Sequence, residues 1–95
     1  MRIHPGEILS EEFLKPLGLS MNQLALALRV LGNRINAIVA GQRGITADTA
    51  LRLGRYFGTS PQFWINIQGR YDLESTKDKL AERIERELRP RDRAA

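Results

Sequence analysis

Polar and small residues recur at helical spacing between residues 33 and 40, and their types suit the reading of base edges in DNA. An asparagine amide can pair with adenine, an arginine guanidinium with guanine, and an alanine methyl can contact thymine. On a wheel of about 100° per residue, the apolar residues Ile35, Ile38 and Val39 point to one side. We predict that the opposite side reads bases, and it consists of Asn33, Arg34, Asn36, Ala37 and Ala40.

Three further residues flank this segment and have the chemistry to bind phosphate. Gln23 falls in the first turn of an expected helix, where backbone N–H groups and the side-chain amide can meet an anion. Thr46 stands at the start of a later expected helix, and Arg43 lies in the loop before it. We predict that these three residues position the protein on the DNA backbone while residues 33–40 read the sequence.

Several of these residues also have a purely structural interpretation, which the sequence leaves open. Asn33 fits the N-cap of its own helix, a position that favours asparagine. Arg34 and Arg43 fit solvated surface cations. Asp48 and Arg52 are four residues apart in an expected helix, and we expect a surface ion pair between them.

The distribution of charge favours a polyanionic partner near this segment. The chain of 95 residues has a net charge of +4, which by itself permits such a partner without requiring one. The window 29–55 holds five arginines against one aspartate, whereas the windows 1–28 and 56–76 each carry a net charge of −1. The excess therefore coincides with the predicted base-reading segment and its following loop. Arginine is also the cation that suits planar, bidentate recognition.

The composition offers little for catalysis or membrane insertion. There is no cysteine and a single histidine, which excludes a thiol nucleophile, a thiolate zinc site and a cage of several histidines. We expect no enzyme activity, no metal and no cofactor. No apolar run approaches the roughly 20 residues that a membrane span needs, and the N-terminus lacks a signal-peptide core. We therefore expect a cytoplasmic protein that makes no membrane contact.

Cap and turn residues predict an all-α chain of five helices. The predicted starts are Pro5, Ser20 as an N-cap, about Asn33, Thr46 as an N-cap, and Ser60 as an N-cap followed by Pro61. Gly18, Gly41 and Gly58 are expected to end helices, with Gly41 in the left-handed conformation. Phe63 and Trp64 are expected to pack in the core of so small a domain.

The second and third helices are short and only residues 29–32 separate them, a layout typical of a helix-turn-helix. We assign residues 1–76 to one helix-turn-helix domain, with the motif at about 20–40, and residues 77–95 to a charged C-terminal helix with a frayed tail. Leu80, Ile84 and Leu88 form a thin apolar stripe along that helix. It suits packing on the domain, on a second subunit or on a protein partner, and the sequence does not choose among these.

Three stretches of the chain resemble the HigA-type antitoxins of the Cro/C1 (XRE) helix-turn-helix family, including VapI-like members. They read NRINAIVAGQRGITADTALRL (33–53), FGTSPQFWINIQ (57–68) and HPGEIL (4–9). The resemblance implies a five-helix, lambda-repressor-like DNA-binding domain with a short C-terminal helical extension. It also implies a homodimer that binds double-stranded operator DNA, autoregulates its operon and neutralises a RelE-like mRNA-cleaving toxin of a type II toxin–antitoxin pair. Two alternatives stay open: a stand-alone XRE-type regulator, and a protein-binding module without DNA activity.

The chain departs from the usual pattern at the turn between the second and third helices. Many helix-turn-helix proteins have glycine where this chain has Arg29, and serine or threonine where it has Leu31. A non-glycine residue in the left-handed conformation costs about 1 kcal/mol. We therefore expect a differently shaped turn in which Gly32 absorbs the strain.

Overall fold

The computed structural model describes residues 2–92, and these form five helices with no strand among them. Helix α1 has three consecutive parts, α-helical Pro5–Ile8, π-helical Leu9–Leu14 and α-helical Lys15–Leu17. The others are α2 (Met21–Leu28), α3 (Gly32–Val39), α4 (Ala47–Phe57) and α5 (Pro61–Glu87). The predicted all-α architecture of five helices is confirmed.

Side-chain caps begin four of the five helices, which is why local sequence predicts them well. His4 Nδ1 accepts from the Gly6 N–H at 2.9 Å and caps α1. Ser20, Thr46 and Ser60 cap α2, α4 and α5 as predicted, each accepting a backbone N–H three residues later. Each cap satisfies an N–H group that would otherwise lack a partner within the helix.

Helix α3 begins without a side-chain cap, and here two predictions are wrong. Its N-cap is Leu31, so the helix starts at Gly32 and Asn33 is its second residue. The interpretation of Asn33 as an N-cap therefore fails. Arg29 itself adopts the left-handed conformation, with φ 58° and ψ 46°, while Gly32 is helical. The N–H groups of Arg29 and Val30 bond the carbonyls of Leu26 and Ala25, and this closed end of α2 holds Arg29 in the strained conformation.

The π-helical part of α1 is a feature that the sequence pattern did not predict. A proline ring clashes with the carbonyl four residues earlier in a regular α-helix. Pro16 lies inside α1, and just before it the Lys15 N–H bonds the Ser10 carbonyl, five residues back. The wider turn lets the helix continue past Pro16 until Gly18 ends it with φ 65°.

One apolar core joins all five helices. Its fully buried side chains include Leu9 of α1, Leu24 of α2, Leu53 of α4 and Trp64 of α5. Trp64 also donates from Nε1 to Thr59 Oγ1 at 2.8 Å, which satisfies its one polar atom. Phe63 differs from expectation, because it lies at the rim of the core with 36% of its surface exposed.

Helix α1 approaches α3 closely at a glycine. A Cβ placed on Gly6 would overlap the carbonyl oxygen of Ile38 and lie 2.7 Å from its carbonyl carbon. Only glycine permits this backbone contact. The contact fixes the C-terminal half of α3 against the start of α1.

Helix α5 crosses residues 76 and 77 without a break, so the shift in composition there does not end a helix. From Thr76 to Asp92 every described residue is exposed, and the stripe residues Leu80 and Ile84 are 38% and 45% exposed. Arg2 forms an ion pair with Asp78, which ties the N-terminal segment to this helix. The division of the chain at 76/77 stays a prediction, and the last part of the predicted tail, 93–95, lies outside the described residues.

Candidate nucleic-acid interface

Helix α3 presents the face that the helical wheel predicts. Ile35 and Ile38 are fully buried, and they hold the helix on the core. Asn33, Asn36 and Ala40 are exposed on the other side. The remaining two predicted base readers, Ala37 and Arg34, are half-buried, and on the wheel Ala37 lies near the middle of this face and Arg34 at its edge. The exposed face is therefore narrow, polar and built from short side chains, which lets a groove wall approach the helix axis.

Arg34 does not stand free on this face. Its Nη1 donates to Asp48 Oδ2 at 2.5 Å, and 26% of its side chain is exposed. Arg52 donates from Nε to both oxygens of the same carboxylate, at 3.2 and 3.1 Å. Arg52 also donates from Nη1 to the Leu28 carbonyl at the end of α2, at 2.8 Å. We call Arg34, Asp48 and Arg52 the arginine–aspartate cluster.

The cluster keeps Asp48 ionised and links three helices. Hydrogen bonds from Arg34 and then from Arg52 hold the pKa of the Asp48 carboxyl below its ordinary value. The Asp48–Arg52 pair is the i, i+4 pair that the sequence predicts. The Arg34–Asp48 pair spans 14 residues, and no local spacing rule could have found it.

Gln23 takes part in a reciprocal cap at the start of α2. Ser20 Oγ accepts from the Gln23 N–H at 3.0 Å, and Gln23 Oε1 accepts from the Ser20 N–H at 2.8 Å. This use of the oxygen leaves the Nε2 group as a donor on an exposed side chain. The cap thus fixes the side chain at the helix start, where the prediction places a phosphate.

Backbone and side-chain hydrogen bonds hold the loop between α3 and α4. Gly41 has φ 76°, as predicted, and the N–H groups of Gly41 and Gln42 bond the carbonyls of Ile38 and Ala37. Gln68 of α5 accepts from the Ile45 N–H at 2.7 Å. This hydrogen bond joins positions 23 residues apart, so the local sequence pattern did not predict it.

Arg43 and Thr46 are both exposed on this loop. Arg43 forms no ion pair within residues 2–92, so its charge faces solvent. Thr46 Oγ1 accepts from the Thr49 N–H at 3.4 Å as the cap of α4. The loop therefore presents a free cation beside the start of a helix, and both groups suit an anion.

The described part of the chain contains neither a cluster of metal-ligating side chains nor a helix suited to cross a membrane. The first finding covers groups of three or more histidines, cysteines, aspartates or glutamates within residues 2–92. The second covers the same residues. The ionisable groups around α3 are instead the ion pairs of Asp48 with Arg34 and Arg52, and the exposed Arg43.

Comparison with known proteins places these features in a family. A helix-turn-helix family model matches residues 11–64. Virulence-associated protein I of Dichelobacter nodosus is 67% identical over 72 residues, which cover 76% of this chain and 67% of that protein. The matched part of this chain spans about two thirds of the length of the first two curated relatives, 67% of one and 64% of the other.

Two solved structures are similar along almost their whole length. The Pseudomonas aeruginosa antitoxin HigA with the higBA promoter is 50% identical, with a TM-score of 0.92, over 95% of this chain and 98% of that one. A HigA-family addiction module antidote protein from Coxiella burnetii is 51% identical, with a TM-score of 0.90, over 96% of this chain and 100% of that one. On sequence, fold and the helix pair α2–α3 together, this chain belongs to the HigA-type antitoxins of the Cro/C1 (XRE) helix-turn-helix family.

Proposed function

We propose that this chain binds double-stranded operator DNA as a homodimer, with α3 of each copy in the major groove. The exposed face of α3 carries the proposal, because Asn33 and Asn36 project from a helix that Ile35 and Ile38 anchor to the core, and Ala40 is exposed at its C-cap. The groove is about 12 Å wide and admits one helix. The P. aeruginosa relative, solved with its promoter, supports the same assignment.

Within this interface the residues divide into two roles. Asn33 and Asn36 donate to and accept from base edges, Arg34 donates to them, and Ala37 and Ala40 contact thymine methyl groups. Gln23 Nε2, the Arg43 guanidinium and the Thr46 end of α4 contact phosphates on either side. Phosphate contacts fix the register of α3 in the groove, so that the short asparagine side chains reach the bases.

Two copies of the chain would read a palindromic operator. Helix-turn-helix dimers bind half-sites about 10 bp apart or a multiple of that distance. A single copy offers one reading helix, and two copies on one face of the duplex combine their base contacts. Membership of an antitoxin family further supports a protein that acts in the cytoplasm, where its DNA and its partner are found.

We also propose that the chain is the antitoxin of a type II toxin–antitoxin pair that neutralises a RelE-like mRNA-cleaving toxin and represses its own operon. The family carries this part of the proposal. Expression of the neighbouring reading frame alone should arrest growth, and co-expression of this chain should relieve the arrest. Arrest without relief would leave a stand-alone regulator, and the exposed Leu80 and Ile84 stripe would then need another partner.

The DNA-binding proposal is tested by fluorescence anisotropy with a labelled duplex from upstream of the chain's own reading frame. Asn36→Ala should weaken binding by about 1–3 kcal/mol and relax the preference at one base position, since each good amide–base pair contributes that much. Asn66→Ala is the matched control, because Asn66 is exposed on α5 and accepts a hydrogen bond only from Gln62. Equal affinities for Asn36→Ala and wild type would remove α3 from the reading role.

A further inference from the structure

Arg34 is the one predicted base reader that another residue holds in place. Its Nη1 bonds Asp48 at 2.5 Å, and three quarters of its side chain surface is covered, whereas Asn33 and Asn36 are exposed. Arg34 lies in the first turn of α3, where the positive end of the helix disfavours a cation. The carboxylate therefore offsets an unfavourable location and also selects one direction for the guanidinium.

The carboxylate is itself fixed from the opposite side. Arg52 donates to both of its oxygens and to the Leu28 carbonyl, so Asp48 cannot rotate freely in the first turn of α4. Arg34 is thus held through Asp48 by the end of α2 and by α4. These charged hydrogen bonds run from Arg52 through Asp48 to Arg34, whose guanidinium lies at the edge of the reading face.

A guanidinium bound through Nη1 still has donors to offer. Nη2 and Nε remain, and they can donate to a base edge without breaking the bond to Asp48. A guanidinium without its partner would rotate and bind any nearby phosphate, because phosphates surround the groove and attract every free cation. Asp48 would therefore favour base contacts by Arg34 over phosphate contacts.

We propose that Asp48 is a positioning residue that sets sequence specificity by holding Arg34 at the edge of the reading face. This inference rests on the proposed binding of operator DNA by α3. Asp48 makes no contact with a base in this scheme, and it acts only through Arg34. Removal of its charge should strengthen binding to unrelated DNA and weaken the distinction between operator and unrelated DNA.

The test compares affinities for the upstream duplex and for a scrambled duplex of the same composition and length. Asp48→Asn should lower the ratio of the two affinities about fivefold or more, the contribution of one arginine–base pair at its lower limit. Glu11→Gln is the matched control, since it removes one negative charge from an exposed ion pair with Lys15 on α1. Glu11→Gln should shift both affinities equally and leave the ratio unchanged.

The double variant Asp48→Asn/Arg34→Ala separates a role through Arg34 from a general effect of charge. If Asp48 acts through Arg34, the loss of discrimination by Asp48→Asn disappears in the Arg34→Ala background. An unchanged ratio for Asp48→Asn, or a loss that persists without Arg34, would overturn the inference while leaving operator binding intact. Failure of the wild type to prefer the upstream duplex would instead overturn the proposed function. Circular dichroism of each variant confirms that the fold is kept.

Discussion

Gly6→Ala should destabilise the protein, although alanine is the better helix former. The added Cβ would overlap the Ile38 carbonyl oxygen and lie 2.9 Å from the Val39 Cα. All these atoms belong to the backbone of α3 and cannot rotate aside, so α1 and α3 must separate. Insertion of a methyl group into a closely packed site costs about 1–3 kcal/mol.

The expected net loss is about 2 kcal/mol in the free energy of unfolding. The whole free energy of unfolding of a 95-residue chain is roughly 5–14 kcal/mol, so this loss is a large part of it. In a domain of this size it lowers Tm by about 8–16 °C. Urea unfolding followed by circular dichroism measures the loss, and the operator affinity should fall in parallel because α3 moves.

Gly69→Ala provides the matched control in α5. A Cβ at Gly69 would meet nothing within 4 Å, and the residue lies inside a helix. Alanine should therefore stabilise the protein there by about 0.5–1 kcal/mol. If both variants changed stability in the same direction and by the same amount, the close contact of α1 with α3 would not be a constraint on this fold.

The other expectations concern the loop, the turn and the single histidine. Arg43→Ala should weaken binding to all duplexes about equally and reduce by about 1 the slope of log affinity against log salt, as measured in titrations between 50 and 200 mM salt. A loss of preference at one base position only would contradict a phosphate contact. Arg29→Gly should raise the free energy of unfolding by about 1 kcal/mol in urea, since it relieves a left-handed arginine; a loss of stability would show that the Arg29 side chain stabilises the turn. Burial lowers the pKa of His4 from 6.5, and the charge of Asp72 partly offsets this effect. The unfolded chain therefore takes up a proton at a higher pH than the folded protein does. As a result, the free energy of unfolding should fall as the pH drops below 6.5. The urea midpoint should therefore fall between pH 7.5 and pH 5.5, and His4→Asn, which keeps a cap for α1, should flatten that part of the profile.

Local signals in the sequence predict most helix starts and ends. Ser20, Thr46 and Ser60 each bond an N–H three residues away, and Gly41 supplies the left-handed residue that closes α3. Such contacts depend on near neighbours in the chain, and so cap residues report them reliably. Likewise, the buried face of α3 follows from helical spacing alone.

The errors and omissions come from contacts between distant residues. The bond between Arg34 and Asp48 and the bond between Gln68 and Ile45 require the tertiary fold to bring their partners together. The shape of the turn at Arg29 also went unpredicted, because packing of α2 against α3 outweighs the local cost of the left-handed conformation. These contacts determine which polar groups of the interface are free and which are engaged.

The length of α5 has a consequence for how the protein behaves in solution. The helix has 27 residues and is about 40 Å long, and its exposed second half makes the molecule 55 Å along its longest axis against 25 and 22 Å across. The radius of gyration is 16.9 Å, whereas a compact chain of this length would have about 12 Å. An elongated particle encounters more hydrodynamic drag than a sphere of equal mass. A single copy therefore elutes early from a gel-filtration column, and light scattering is the appropriate measure of its mass.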